Sequence, residues 1–184
     1  MAHHRATFAE INLKAFKNNL QNLKKITEPD NGIMAVIKAD AYGHGSLPCA
    51  KAAVDSGVDY IGVGIIEEGI ELRENGITEP ILILGSIFPD EAADLVRHDL
   101  ATIICTTHLA EELAKEAEKQ KKTVNVHIKV DTGMNRLGVV PEKLLSLIQT
   151  INKLSTLKLE ALSTHFSSAD DEDISITTEQ IKLF

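Results

Sequence analysis

Two lysines, a histidine and an arginine stand where their types and spacing could do chemistry. Lys38 follows the apolar run Ile33–Ile37 and precedes Ala39-Asp40-Ala41-Tyr42-Gly43-His44-Gly45. Lys129 closes the run Val124–Lys129, His165 follows Leu157–Thr164, and Arg136 lies in the polar segment Asp131–Gly138. An ammonium at the mouth of a dry strand is partly desolvated, which lowers its pKa and frees the amine. Such an amine can form a Schiff base with an aldehyde cofactor and afterwards act as a base. The glycines after Tyr42 would let a bulky ligand approach the backbone. Each residue also has a plainer reading. Spacing alone favours Lys38 snorkelling to solvent, while Arg136 could pair with a surface carboxylate on a turn made by Gly133 and Gly138. A lone His165 could simply cap a strand.

Other candidate chemistries are not supported. His44, His98, His108 and His127 share no helix face or close spacing, so no metal is expected. Ser167-Ser168 lacks the G-x-S-x-G context of a nucleophile elbow. Glu111–Lys122 reads as a solvated helix face with i, i+4 pairs. Cys49 and Cys105 have neither CxxC nor zinc-type spacing and read as two neutral thiols rather than a disulfide.

The elements that would position these residues alternate with little interruption. A strand is expected at Ala6–Ile11, then a helix with Leu13, Phe16, Leu20 and Leu23 on one apolar stripe. Strands follow at Ile33–Ile37, Tyr60–Gly64, Ile81–Leu84, Thr102–Cys105, Val124–Lys129 and Leu157–Thr164. Helices between them are expected at Leu47–Ser56, Ile66–Asn75, Pro89–Arg97, Thr107–Gln120 and Pro141–Leu154, with a last one beginning near Thr178. On the fifth strand His127 alternates with Val126 and Ile128 and should face the other side of the sheet.

Six such βα units mean an α/β fold with a parallel sheet, either doubly wound or a (β/α)8 TIM-type barrel. No G-x-G-x-x-G or G-x-x-x-x-G-K-[ST] is present, which counts against a nucleotide-binding sheet. The short, regular units favour the barrel. There the working residues sit at the carboxyl ends of strands, which is where Lys38, Leu84, Lys129 and His165 fall. Six of eight units would leave two sheet edges unpaired, so the barrel is expected to be incomplete and the chain cut short.

Asp and Glu total 27 against 19 Lys and Arg, a formal charge of −8, which argues against a nucleic-acid or anionic-membrane surface. No apolar run suits a membrane span or signal peptide, so a cytoplasmic protein is expected.

Several segments together resemble the alanine racemases. Ala35–Gly45 is similar to that family's pyridoxal-phosphate attachment signature, and Arg5–Leu13 with Asn18-Asn19-Leu20 to its amino-terminal segment. Lys129–Gly138 and Ser163-Thr164-His165-Phe166 are similar to its second and third motifs. The resemblance runs over essentially the whole chain and implies a role for each residue. Lys38 would hold pyridoxal 5'-phosphate as a Schiff base and exchange the Cα proton on one face of alanine. Tyr42 would bind the phosphate, and Leu84 would line the cofactor pocket. Arg136 would contact the ring's phenolic oxygen and the substrate carboxylate. Lys129 would be carboxylated at its amine and position Arg136, and His165 would orient a second arginine at the pyridine nitrogen.

The resemblance further implies a homodimeric isomerase that makes D-alanine for peptidoglycan. Residues 1–12 would be a strand paired with a C-terminal β domain absent from this chain. Residues 13–184 would be the partial barrel, inactive alone because the second base lies elsewhere. The alternatives are a serine or broad-specificity racemase on the same fold, a non-catalytic pyridoxal-phosphate-binding barrel, and a structural half-barrel.

Overall fold

The computed structural model describes residues 7–184. Its sheet has six strands: β1 Met34–Val36, β2 Tyr60–Val63, β3 Ile81–Ile83, β4 Ala101–Ile104, β5 Val124–Lys129 and β6 Leu157–Ser163. They pair in parallel and lie in sequence order, β1-β2-β3-β4-β5-β6. A doubly wound sheet reverses its strand order at a switch point. This one never does, and the unreversed order is that of an incomplete (β/α) barrel.

The helices are α1 Leu13–Ile26, α2 Lys38–Gly43, α3 Ser46–Asp55, α4 Ile66–Glu74, α5 Ala92–Arg97, α6 Thr107–Lys119, α7 Pro141–Ile151 and α8 Ser175–Leu183. Local chemistry sets their ends. The Asn12 side chain accepts the Ala15 N–H at 2.9 Å to start α1, and Thr106 accepts from Leu109 to start α6. Pro141 opens α7, where its missing N–H costs nothing.

Alternation along the strands sorts side chains onto two faces. Ala35, Ile61, Val63, Ile81, Ile83, Ile104, Val126 and Ile128 face the helices and form the main core. On the concave face Leu82, Ala101 and Ile103 pack with Met34, Tyr60, Leu84 and Cys105. His127 lies on the concave face as expected, its ring 5.6 Å from that of Tyr60 and edge-on to it. Cys49 and Cys105 are free, with burial pushing the Cys105 thiol up to about 11.

Among the described residues, 7–12 take no part in the six-stranded sheet, and Ala6 lies outside them; the pairing expected of this segment is with a second domain rather than with the barrel. Several expectations need correction. On α1, Leu13, Phe16 and Leu20 reach the core, but Leu23 is 46% exposed beyond its edge. The expected helix at Pro89–Arg97 is a 3-10 turn, Pro89–Glu91, followed by α5. The last helix begins at Ser175, three residues early, where Asp173 accepts the Ser175 N–H. A helical element at Lys38–Gly43 was not anticipated.

Among the described residues no helix is long and apolar enough to cross a membrane. No group of three or more His, Cys, Asp or Glu there could hold a metal ion.

Candidate active site

Lys38 leaves the sheet one residue beyond Ile37, whose N–H still donates to the Gly62 carbonyl at 2.8 Å. The next four residues, Ala39 to Tyr42, have φ of 52–56° and wind one left-handed turn. For residues with a Cβ this conformation costs about 1–2 kcal/mol each. Hydrogen bonds close around the turn and hold it. Asp40 Oδ1 accepts the Ser46 N–H at 2.6 Å, and the Asp40 carbonyl accepts the Gly45 N–H at 2.9 Å. His44 Nδ1 lies 2.7 Å from the Ala41 carbonyl, and Glu68 Oε1 accepts the Ala39 N–H at 2.6 Å. The Lys38 ammonium ends 5.9 Å from the centre of the Tyr42 ring, within cation–π reach.

Arg136 is presented by a loop that closes on its own strand. The Val139 N–H donates to the Lys129 carbonyl at 2.8 Å, and the Asp131 N–H donates to the Val139 carbonyl at 2.9 Å. Asp131 Oδ1 accepts the N–H groups of Asn135 and Gly133, which holds its carboxyl below the ordinary range. Gly138 is required here, since a Cβ would sit 2.7 Å from the Asp131 nitrogen. Behind the loop, Thr132 and Thr164 hydroxyls bond at 2.7 Å. The buried Gln180 of α8 accepts from the Ser167 N–H and donates to Thr132 Oγ1 and the His165 carbonyl.

These elements bring all six sequence-selected residues together. Lys38, Tyr42, Leu84, Lys129, Arg136 and His165 line one cavity of about 600 Å³ at the carboxyl ends of the strands. Among its described lining residues there is no carboxylate. Burial lowers the Lys129 pKa, and neighbouring Arg136 lowers it further. His165 is likewise held below its ordinary value, first by desolvation and then by the cations Lys129, Arg136 and Lys38. Basic side chains gathered with no carboxylate among them are suited to anions.

Residues 11–184 match the family model described as "Alanine racemase, N-terminal domain". This chain belongs to that family. The alanine racemase of Halothermothrix orenii is 44% identical over 180 residues, covering 98% of this chain and 48% of the relative. The solved alanine racemase of Clostridium difficile 630 superposes with a TM-score of 0.91 at 38% identity, covering 94% of this chain and 46% of that one. A histidine racemase from Leuconostoc mesenteroides superposes at 0.86 with 30% identity, covering 93% and 46%. The chain thus spans about half the length of the curated relatives it matches.

Within this alanine racemase N-terminal domain, sequence reasoning gave no role to Gly64 and Gly85, which line the cavity, or to Glu68 and Gln180, which brace it. Gly64 and Gly85 approach so closely that a Cβ on Gly85 would lie 2.3 Å from the Gly64 carbonyl oxygen. Glu68 and Gln180 each bond to site-bearing segments from a helix. A Glu in the first turn of α4 signals only a cap, and Gln180 carries no local signal at all.

The donor set fits pyridoxal phosphate. Lys38 offers an amine for an aldehyde, Tyr42 a hydroxyl for a phosphate, Arg136 a guanidinium for a carboxylate, and Leu84 an apolar contact for a ring.

Proposed function

We propose that the protein carrying this chain is a pyridoxal-phosphate-dependent racemase that interconverts L- and D-alanine. The observation that carries this reading is the convergence of Lys38, Tyr42, Lys129, Arg136 and His165 on one cavity in a domain of the alanine racemase family. Cytoplasmic location, a homodimer and the supply of D-alanine to peptidoglycan complete the proposal, supported by family likeness.

When bound, pyridoxal phosphate supplies an aldehyde for amines and a sink for the electron pair left when a Cα proton departs. Lys38 is the residue to hold it and then to take or return that proton on one face of the substrate. Tyr42, beside the Lys38 ammonium, is assigned to the phosphate. Arg136 is assigned to the phenolic oxygen and the substrate carboxylate, where a guanidinium can bind two oxygens at once. His165 is assigned to orient an arginine toward the pyridine nitrogen. The base for the opposite face is proposed to lie in the part of the relatives' length that this chain does not span.

Lys129 has a different role. A lowered pKa enlarges the neutral fraction of its amine, the form that adds carbon dioxide. The ammonium first gives up one proton; the free amine then forms an N–C bond to carbon dioxide, one C–O π pair moves onto oxygen and a second proton leaves the nitrogen, so a cation beside Arg136 becomes an anion. The pair then attracts rather than repels and fixes the guanidinium.

Borohydride reduction of the full natural polypeptide loaded with pyridoxal phosphate, followed by peptide mapping, should place the pyridoxyl group on Lys38. Lys38→Ala should abolish D/L-alanine interconversion. A label on Lys129 instead would overturn the assignment.

A second reading, racemisation of a different amino acid, is favoured by the fold likeness to the histidine racemase. A panel of L-amino acids tested for loss of optical purity separates the two.

A further inference from the structure

Glu68, on α4, reaches two backbone N–H groups that belong to different βα units. Its Oε1 accepts from Ala39 at 2.6 Å, and its Oε2 accepts from Gly64 at 2.7 Å. One carboxylate therefore ties the carboxyl end of β2 to the peptide immediately after Lys38. A glutamate at this helix position ordinarily folds back onto the N-cap N–H. Here that contact, to Ile65, is the longest of the three at 3.4 Å, so capping is the lesser part of what the side chain does.

The surroundings show why such a tie is needed. Ala39, Asp40, Ala41 and Tyr42 hold a left-handed turn without a glycine among them, a conformation L-residues leave unless restrained. Among the described residues, no other βα unit sends a side-chain hydrogen bond to the backbone of Lys38–Gly43. The Lys38 stem lies directly over Gly64, where a Cβ would come 3.4 Å from Lys38 Cβ and 3.3 Å from Glu68 Oε2. Gly64, Glu68 and Lys38 thus fit together as one packed unit.

We propose that Glu68 is a positioning residue for Lys38: by accepting both N–H groups it holds the left-handed turn and so aims the lysine amine into the cavity. This rests on the assignment of Lys38 made above. It requires two acceptor oxygens, which an ionised carboxylate has and an amide lacks.

The test is the full natural polypeptide, as wild type and Glu68→Gln. Its readouts are the rate of Lys38 labelling by pyridoxal phosphate with borohydride, and amide hydrogen exchange at Ala39 and Gly64. Glutamine has one acceptor oxygen, so its NH2 must face the other N–H. Labelling of Lys38 should slow about ten-fold or more, and at least one of the two amides should exchange about ten-fold faster. If Glu68 merely caps α4, glutamine serves equally well. Wild-type labelling and wild-type exchange in Glu68→Gln would then overturn the proposal.

Should that variant fail to fold, exchange in the wild type decides. The amide of the exposed residue Ala39 should be protected like that of buried Val63, and exchange as fast as that of exposed Gly43 overturns the bridge. If wild-type Lys38 takes no label, it is the cofactor assignment that fails. The exchange measurements still settle Glu68 by themselves.

Discussion

The hydroxyl of Tyr60 on β2 donates to the carboxylate of Glu160 on β6, across the concave face of the sheet. The same Glu160 oxygen lies 3.2 Å from His127 Nε2 on β5. Strands four places apart in a sheet have side chains in contact only if the sheet curls. The pairing of β5 with β6 skips Glu160, from Val126↔Leu159 to His127↔Ala161, and this irregularity accompanies the inward reach of its carboxylate. Burial alone would raise the Glu160 pKa, but the bonds from Tyr60 and His127 outweigh it and hold the group below its ordinary value.

Tyr60→Phe should therefore lower stability by about 1–3 kcal/mol, as expected for a hydrogen bond to a charged acceptor, read from urea denaturation. A carboxyl with a depressed folded-state pKa binds fewer protons folded than unfolded. Its contribution is present above the unfolded value of 4.5 and is lost as pH falls through the folded value. Stability of the wild type should fall over that acidic window, and the Tyr60→Phe profile should be flatter there. Parallel profiles would sink the explanation.

Gly85→Ala tests the floor of the cavity. The added Cβ would lie 2.3 Å from the Gly64 carbonyl oxygen, a backbone atom that cannot swing aside. Overpacking of this kind should cost about 1–3 kcal/mol in thermal or chemical denaturation. Because Gly64 carries the N–H bound by Glu68, exchange at Gly64 should also quicken.

The cations of the cavity should be visible in the titration of His165. Its folded value is depressed, by desolvation first and then by Lys129, Arg136 and Lys38. With carbon dioxide excluded so that Lys129 stays an uncarboxylated amine, an NMR titration of the imidazole should give a midpoint below 6.5, rising toward 6.5 in Lys129→Gln. As pH falls below 6.5 the unfolded chain takes up its proton first, so the stability tied to His165 is present above 6.5 and lost on acidification toward the folded value. Carboxylation of Lys129 should move the midpoint the same way as the substitution, and intact mass should show the added carboxyl group. No difference between wild type and Lys129→Gln would show that the two side chains do not share a field.

Gln180→Leu keeps the apolar volume of a 3% exposed side chain but removes its amide. Thr132 Oγ1 would lose that partner in a buried setting, and the Ser167 N–H and the His165 carbonyl in a half-buried one. A loss of about 1–3 kcal/mol is expected, with faster exchange at Ser167. Affinity for pyridoxal phosphate should fall as well, since Gln180 ties the loops bearing Arg136 and His165 alongside the Thr132–Thr164 bond. Unchanged affinity in a destabilised variant would restrict Gln180 to a structural role.

Much of the fold was legible because parallel strands buried on both faces read as apolar runs, and turn glycines such as Gly57 and Gly76 fall where φ is positive. The alternation Val124-Asn125-Val126-His127-Ile128-Lys129 already assigned His127 to the concave face. By the same parity Lys129 points there too. What failed was a segment whose conformation depends on distant partners. Ala39–Tyr42 contains residues that locally prefer a right-handed helix or a strand, and only bonds such as that from Glu68 make the left-handed turn tenable.

By itself, then, the sequence determined the element types, the parallel class of sheet and the residues with chemical potential, because propensity, periodicity and motif are local properties. Only the tertiary structure decided that the strands run in unreversed order, that Lys38 and Arg136, 98 positions apart, share a cavity, and that Glu68 and Gln180 hold the segments bearing them. Those facts depend on hydrogen bonds and close contacts between residues far apart in the chain, and no local pattern encodes which partner a carboxylate or an amide will find.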